Sequence, residues 1–228
     1  MAEKGVVESV KDGVVSSIRG TGEIVNAVVD TVSGTLVNTI KGTGAVGAAL
    51  TGTVADILRG AIKGTQQVGA DVGTAAQGGV LGIIRGAQEV GVGTLEAVTT
   101  STRAAVQGTA EVGGDVGAAA KGAILGVMGG TKEIGVGALD VVGAGAGAVV
   151  KSAAELGGDI GGAAKNAVEG AIAGARNIGL SAEDAASAAA TGALKAAGEI
   201  SSTAVEQVRK VATGTIAGVK VVAREPFR

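Results

Sequence analysis

The stretch EVGGDVGAAAKGA at residues 111–123 returns, slightly changed, 44 residues earlier and 44 residues later. Residues 67–79 read QVGADVGTAAQGG, and residues 155–167 read ELGGDIGGAAKNA. The blocks 67–110 and 111–154 agree at 20 of 44 positions. Self-similarity at such a period is the mark of stacked supersecondary units. The sequence therefore predicts a repeat protein built from 44-residue modules.

One repetitive region fills the chain almost to its end. We expect divergent repeats at 1–66, full modules at 67–110, 111–154 and 155–198, and half a module at 199–220. The tail 221–228 leaves the pattern, and its Pro226 opposes further helix. Residues 1–220 are therefore expected to form a single repetitive helical region.

An eleven-residue period underlies the larger one and keeps its phase from Met1 to Lys220. Eleven residues complete three helical turns at about 3.67 residues per turn. On a helical wheel, Val, Ile, Leu, Ala and Gly fill one arc, and nearly all charged residues fill the other side. This pattern predicts an all-α fold of amphipathic helices, in a right-handed or near-straight array.

The helices could be long and continuous or folded into hairpins. A K/R-G-T/A motif recurs every 22 residues, at 19–21, 41–43, 63–65 and 85–87. Glycine after a basic last turn is a helix stop signal. The apolar arc nevertheless passes through these sites in register, so the pattern favours continuous helices over hairpins.

The 43 glycines need an explanation, because each glycine inside a helix costs roughly 1 kcal/mol relative to alanine. Four-residue spacing produces a flat groove on a helix, where a second backbone can approach closely. Two runs have this spacing: Gly78, Gly82, Gly86 and Gly122, Gly126, Gly130. We expect these six glycines to be helix-packing residues.

The chain lacks the side chains that most catalysis uses. It has no Trp, Tyr, His or Cys, which supply most nucleophiles, acid–base groups and metal ligands. Asp71, Asp115 and Asp159 follow the repeat without a nearby His or Cys. We expect a protein that is not an enzyme and has no catalytic residues, no cofactor and no metal site.

Charge is balanced and interspersed, with a net value of −2. Without a basic stripe, and with Phe227 as its single aromatic residue, the sequence favours neither nucleic-acid binding nor a small-molecule substrate. Pairs four residues apart, such as Arg85 with Glu89 and Lys151 with Glu155, are expected to meet on one helix surface. No secretory signal peptide and no transmembrane span are predicted, so cytoplasmic synthesis is the default expectation.

The style of the repeat resembles the lipid-surface repeats of synucleins and perilipins. The similar sequence segments include EKGVV at 3–7, KDGVV at 11–15 and KGTG at 41–44. The resemblance implies amphipathic helices that coat a membrane or a lipid droplet. A regular Thr spacing also resembles helical ice-binding proteins; it comprises Thr21, Thr43, Thr65, Thr109 and Thr131.

Two functional classes remain from the sequence. The unbroken phase gives every part of the chain the same apolar face, which favours a structural protein that self-assembles through its Gly, Ala and Val helix faces into a homo-oligomeric array, filament or sheath. The alternative is a peripheral protein that coats a lipid surface without spanning it. The expected partners are therefore copies of the chain itself or lipid.

Overall fold

The computed structural model describes residues 2–21, 23–43 and 48–223. Within these residues the chain forms ten α-helices followed by two short β-strands. The helices are α1 (Ala2–Thr21), α2 (Ile24–Thr43), α3 (Ala48–Gln67), α4 (Val72–Glu89), α5 (Thr94–Glu111), α6 (Val116–Glu133), α7 (Ala138–Glu155), α8 (Ile160–Ile178), α9 (Ala182–Ile200) and α10 (Ser202–Ala212), and the strands are β1 (Gly214–Ile216) and β2 (Val219–Val221).

The helices form two layers. Each helix packs against the next helix in the chain and against the helix two positions further along. The odd-numbered helices α1 to α9 thus line one layer and the even-numbered helices α2 to α10 line the other. Between α3 and α9 the connections are three or four residues long, which makes consecutive helices antiparallel. The all-α prediction is confirmed, and each 44-residue module corresponds to two helices with their connections.

The preference for continuous helices is wrong, because the chain turns back every 22 residues. The turns occur at glycines with positive φ: Gly69, Gly91, Gly113, Gly135, Gly157 and Gly179. At the end of α4, the Val92 amide donates to Ala87 O at 2.8 Å and the Gly91 amide donates to Gln88 O at 3.2 Å. These two bonds form a Schellman motif, which needs the left-handed conformation at its glycine. Of the expected stop motifs, those at 19–21 and 41–43 do coincide with the ends of α1 and α2, whereas α3 and α4 continue for three residues past Gly64 and Gly86.

The next helix begins two or three residues after each turn. Asp71, Asp115 and Asp159 are N-caps of α4, α6 and α8, and their carboxylates accept from backbone amides at 2.9 to 3.0 Å. Ser181 and Ser201 cap α9 and α10 in the same way. A side-chain oxygen at this position satisfies an amide that the helix leaves without a partner. The repeated aspartates therefore have a structural task at helix starts.

The hydrophobic core lies between the two layers. It consists mainly of Val, Ala and Ile side chains, arranged in one large cluster in each half of the chain. The bulkiest fully buried side chains include Leu36, Ile57, Ile83, Ile124 and Met128. The apolar arc of each helix therefore faces the inside of the stack, as binary patterning at a helical period requires.

The C-terminal segment departs from the helical half module predicted at 199–220. The helix α10 ends at Ala212, and 214–221 form an antiparallel hairpin. Ala217 and Gly218 both have positive φ, as a two-residue type I′ turn requires. The hairpin packs on α8 and α9, and its Ile216, Val219 and Val221 are buried. Of the tail at 221–228, positions 224–228, including Pro226, lie outside the described residues.

Both ends of the stack are polar on their exposed surfaces. On α1 the exposed side chains include Glu8, Asp12 and Arg19. On α10 they include Glu206 and Arg209. Such polar faces are typical of the outermost units of a repeat array.

Candidate functional site

The predicted packing glycines of α4 lie against α2. A β-carbon built at Gly78 would lie 3.0 Å from Val25 O, and one at Gly82 would lie 2.8 Å from Val29 O. At Gly86 the nearest atom is Ser33 O, at 3.1 Å. All three distances leave too little room for a side chain. The backbone of α2 therefore lies directly on the glycine stripe of α4.

The second run, on α6, lies against α4 in the same manner. A β-carbon at Gly122 would overlap the carbonyl group of Gly73, and one at Gly126 would lie 2.5 Å from Gln77 O. A β-carbon at Gly130 would lie 3.1 Å from the side chain of Ile84. Gly122 thus makes the closest backbone approach in the even layer among the described residues.

The odd layer has an equivalent contact that the sequence analysis missed. A β-carbon at Gly192 of α9 would overlap the carbonyl group of Gly143 on α7. Gly147 lies one turn further along the same contact, with Gly192 O at 3.2 Å from its β-carbon position. The run GAGAGA at 143–148 is therefore a helix contact. The equal separation of Gly143 from Gly192 and of Gly73 from Gly122 is the signal that could have revealed the pair.

These glycine faces lie between helices of a single chain. Gly78, Gly82 and Gly86 are buried, as are Gly122, Gly126 and Gly130. A second copy has no access to them while the stack is intact. Any contact with another molecule must use a different surface.

Ion pairs cross the outer surface of each layer. In the even layer Lys41 pairs with Glu89 at 2.8 Å and Arg85 with Glu133 at 2.9 Å. The odd layer has three such pairs: Arg59 with Glu111, Arg103 with Glu155 and Lys151 with Glu199. The expected pairs of Arg85 with Glu89 and of Lys151 with Glu155 are not the ones formed. A neighbouring helix offers each cation a partner outside its own helix.

The Arg59 guanidinium contacts two carboxylates, one on its own helix and one on α5. The Arg59 guanidinium donates to Glu111 Oε2 at 2.6 Å and to Asp56 Oδ1 at 2.8 Å. The hydrogen bond from Arg59 lowers the pKa of the Glu111 carboxyl, against a smaller opposing effect of burial. Lys151 lowers the pKa of Glu199 in the same way. The pairs therefore favour the ionised carboxylates that link α3 to α5 and α7 to α9.

An apolar row lies on the edge where even helices turn into odd helices. Each of its three connections, 90–93, 134–137 and 179–181, has one large exposed apolar side chain in it or directly after it. Leu95 is 56% exposed, Val136 37% and Leu180 41%. We call this surface the loop edge. The sequence analysis missed it because the apolar arc was read as one continuous stripe, without turns.

The described residues contain no cluster of three or more metal-binding side chains. Among them, too, no helix combines the length and the apolar character that crossing a membrane requires. Three threonines of the ice-binding pattern, Thr65, Thr109 and Thr131, are fully buried. They cannot form an exposed ice-binding face, so that interpretation is wrong.

Comparison with models of known protein families finds none that matches the chain, and a search of curated proteins finds no similar sequence. The function is therefore argued from the chain's own surfaces.

The close contacts give a direct test of glycine. Gly122→Ala should lower the free energy of unfolding by about 1 to 3 kcal/mol, because the added methyl overlaps the backbone of α4. The matched control is Gly34→Ala in α2, where nothing lies within 4 Å of the β-carbon position. That variant should gain up to about 1 kcal/mol from helix propensity. Urea unfolding followed by circular dichroism measures both changes, and a stabilised Gly122→Ala would contradict the close contact.

The Arg59 pair predicts a pH dependence of stability. The pKa of Glu111 is lower in the folded protein than in the unfolded chain. The stability that this carboxylate contributes is therefore complete above the unfolded pKa and is lost as the pH falls through the folded pKa. The Glu111→Gln variant should therefore lose less free energy of unfolding than the parent protein between neutral pH and about pH 3. The difference should be under about 1 kcal/mol, because the pair is largely exposed to solvent.

The control for this measurement is Glu206→Gln on α10, which removes a carboxylate but leaves the contact between α3 and α5 intact. Unfolding curves of the three proteins across this pH range give the comparison. If Glu206→Gln flattens the pH dependence as much as Glu111→Gln does, the effect comes from net charge and not from the pair.

Proposed function

We propose that this chain is a non-enzymatic structural protein that associates with further copies of itself through the loop edge. The observation that carries the proposal is the apolar row of Leu95, Val136 and Leu180. The row adds one large exposed side chain with each helical hairpin, so its apolar area grows with the stack. Exposed apolar side chains collected along one edge are typical of interaction sites.

The charges beside the apolar row support a second copy as the partner. Even helices bring basic residues to this edge in their last turns, as Lys132 and Arg176 do. Odd helices bring acidic residues in their first turns, as Glu96, Asp140 and Asp184 do. A twofold axis parallel to the stacking direction sets the even layer of one copy against the odd layer of the other. Lys132 and Arg176 of one copy then face the acidic first turns of the odd helices of the other.

The size of the loop edge also suits a dimer. Helix axes lie about 10 Å apart in packed layers, so the edge is roughly 40 Å long and 20 Å wide. That is about 800 Å² on each copy, which is the usual contribution of one partner to a stable interface. Association through this edge leaves the glycine contacts undisturbed.

The first test compares two apolar residues at opposite edges of the stack. Leu180→Asp should shift sedimentation from a dimer or larger species to the monomer, because a charge then lies within the apolar interface. The matched control is Ile200→Asp, since Ile200 is 39% exposed against 41% for Leu180 but lies at the opposite edge.

Analytical ultracentrifugation at micromolar concentration measures the outcome for both variants. We expect Ile200→Asp to sediment like the parent protein. A monomeric parent, or equal loss of association in both variants, would overturn the proposal.

The second candidate is a peripheral lipid-surface protein, and one observation favours it. Every helix keeps an apolar face along its whole length, and in the stack these faces are turned inward. Helices that separate would present these faces to a lipid surface without losing their helical structure. Binding would then require opening of the stack.

A disulfide lock tests the lipid candidate in a chain that has no cysteine. The β-carbon position of Gly147 lies 3.5 Å from Ala196 Cβ, which suits a disulfide in the double variant Gly147→Cys/Ala196→Cys. The lipid candidate expects the reduced form to float with vesicles of mixed neutral and anionic lipid and the oxidised form to float less. Equal flotation of both forms, or none, would count against opening as the route to lipid.

A further inference from the structure

A cleft lies between the α5–α6 hairpin and the α7–α8 hairpin, at the edge opposite the loop edge. Its volume is about 360 Å³. The lining is mostly small and apolar, with two polar side chains at one side. The residues that the argument uses are Val116, Gly117, Ala153, Leu156, Asp159 and Asn166.

The preceding repeat shows why this space is open. In the equivalent place between α3–α4 and α5–α6, a β-carbon at Gly114 would lie 2.8 Å from Thr109 Cγ2 and 3.2 Å from Val72 Cγ1. One repeat later, the nearest atom to the β-carbon position of Gly158 is Ala153 O, at 3.4 Å. Ala153 occupies the repeat position of Thr109, so the side chain that fills the first cleft is absent from the second.

Asn166 holds the second cleft open. It occupies the repeat position of Gly122, whose backbone touches Gly73. In place of that contact, a β-carbon at Gly117 would lie 2.9 Å from Asn166 Nδ2. The side chain of Asn166 therefore stands between α6 and α8, where the earlier repeat has only backbone. In agreement, Gly73 is buried but Gly117 is half-buried.

The polar side chains of the cleft are Asp159, which offers carboxylate oxygens, and Asn166, which offers an amide oxygen and an NH2 donor. Asp159 Oδ1 accepts from the Gly162 amide at 2.9 Å, and Asp159 Oδ2 lies 2.5 Å from the β-carbon position of Gly162. Asn166 Nδ2 donates to Gly162 O at 2.9 Å, and its amide oxygen is a further acceptor. A carboxylate and an amide oxygen beside an apolar wall suit a cationic donor with a short apolar body.

We propose that this cleft binds a small organic cation, a primary ammonium on a short alkyl chain. The ammonium donates to Asp159 and Asn166, and the alkyl chain lies against Val116 and Leu156. A volume of about 360 Å³ is within the range of small-molecule sites. The site lies apart from the loop edge, so it is independent of the proposed self-association.

The probe is n-butylammonium, titrated into the isotopically labelled full chain and followed by backbone amide NMR. Saturable shifts confined to Gly117, Gly158, Gly162 and Asn166 are expected. Butyrate and n-butanol, which match the chain length but lack the positive charge, should bind at least about tenfold more weakly. No saturable shift, or equal binding of the three probes, would overturn the proposal.

Two variants locate the site. Ala153→Thr restores the residue of the preceding repeat and fills the cleft, so it should weaken butylammonium binding about tenfold or more. Asp159→Asn removes the charge but keeps a residue that caps α8 well, and it should abolish the preference for butylammonium over butanol. Thermal unfolding of each variant reports whether the fold is kept. Unchanged binding by a folded Ala153→Thr variant would show that the cation binds elsewhere.

Discussion

The close approach between each helix and the helix two positions further along depends on glycine. Where Gly122 meets Gly73, and where Gly192 meets Gly143, no β-carbon fits between the two backbones. The Cα–H groups face carbonyl oxygens there, the geometry of weak C–H···O contacts. Contact over a whole helix length also brings many atoms within dispersion range. These gains offset the roughly 1 kcal/mol that each helical glycine costs relative to alanine.

This close approach decides where the other residue types lie. Glycines occupy the closest contacts within each layer, and they face bulkier side chains such as Val28, Ile84 and Ile124 on the neighbouring helix. Long charged side chains are left on the outer surfaces. Because parallel helices of one layer are so near, Arg85 reaches Glu133 on the next helix of its layer. The glycine contacts and the ion pairs thus follow from the same spacing.

Much of the fold could be predicted from the sequence. The period identified the helices and their apolar faces, and the four-residue spacing pointed to Gly82 and Gly126 as contact residues. The helix ends were missed because two glycine series share the 22-residue period. Only one of them, which includes Gly69 and Gly113, is followed two residues later by an N-cap such as Asp71. A glycine and a cap together mark a turn, whereas Gly64 and Gly86 of the other series have no cap residue two positions later.

Other features could not be predicted, because they depend on distances between helices. The spacing of Arg85 and Glu89 fits a pair within one helix, but the sequence contains no information on how near Glu133 lies. The exposure of Leu180 likewise depends on where the chain turns back. Once the turns are placed, the loop edge and its charges follow from the repeat itself.

Positions at which one repeat differs from the next show which residues the helix stacking requires and which it does not. Gly122 and Thr109 allow close stacking, because the space beside them is filled and Gly73 is buried there. Asn166 and Ala153 occupy the same two repeat positions and leave a cleft, which loses packing that the preceding repeat has. Nothing in the helix contacts requires that loss. In a chain this regular, paired departures at one place are therefore the best indication of a site that serves something other than the fold.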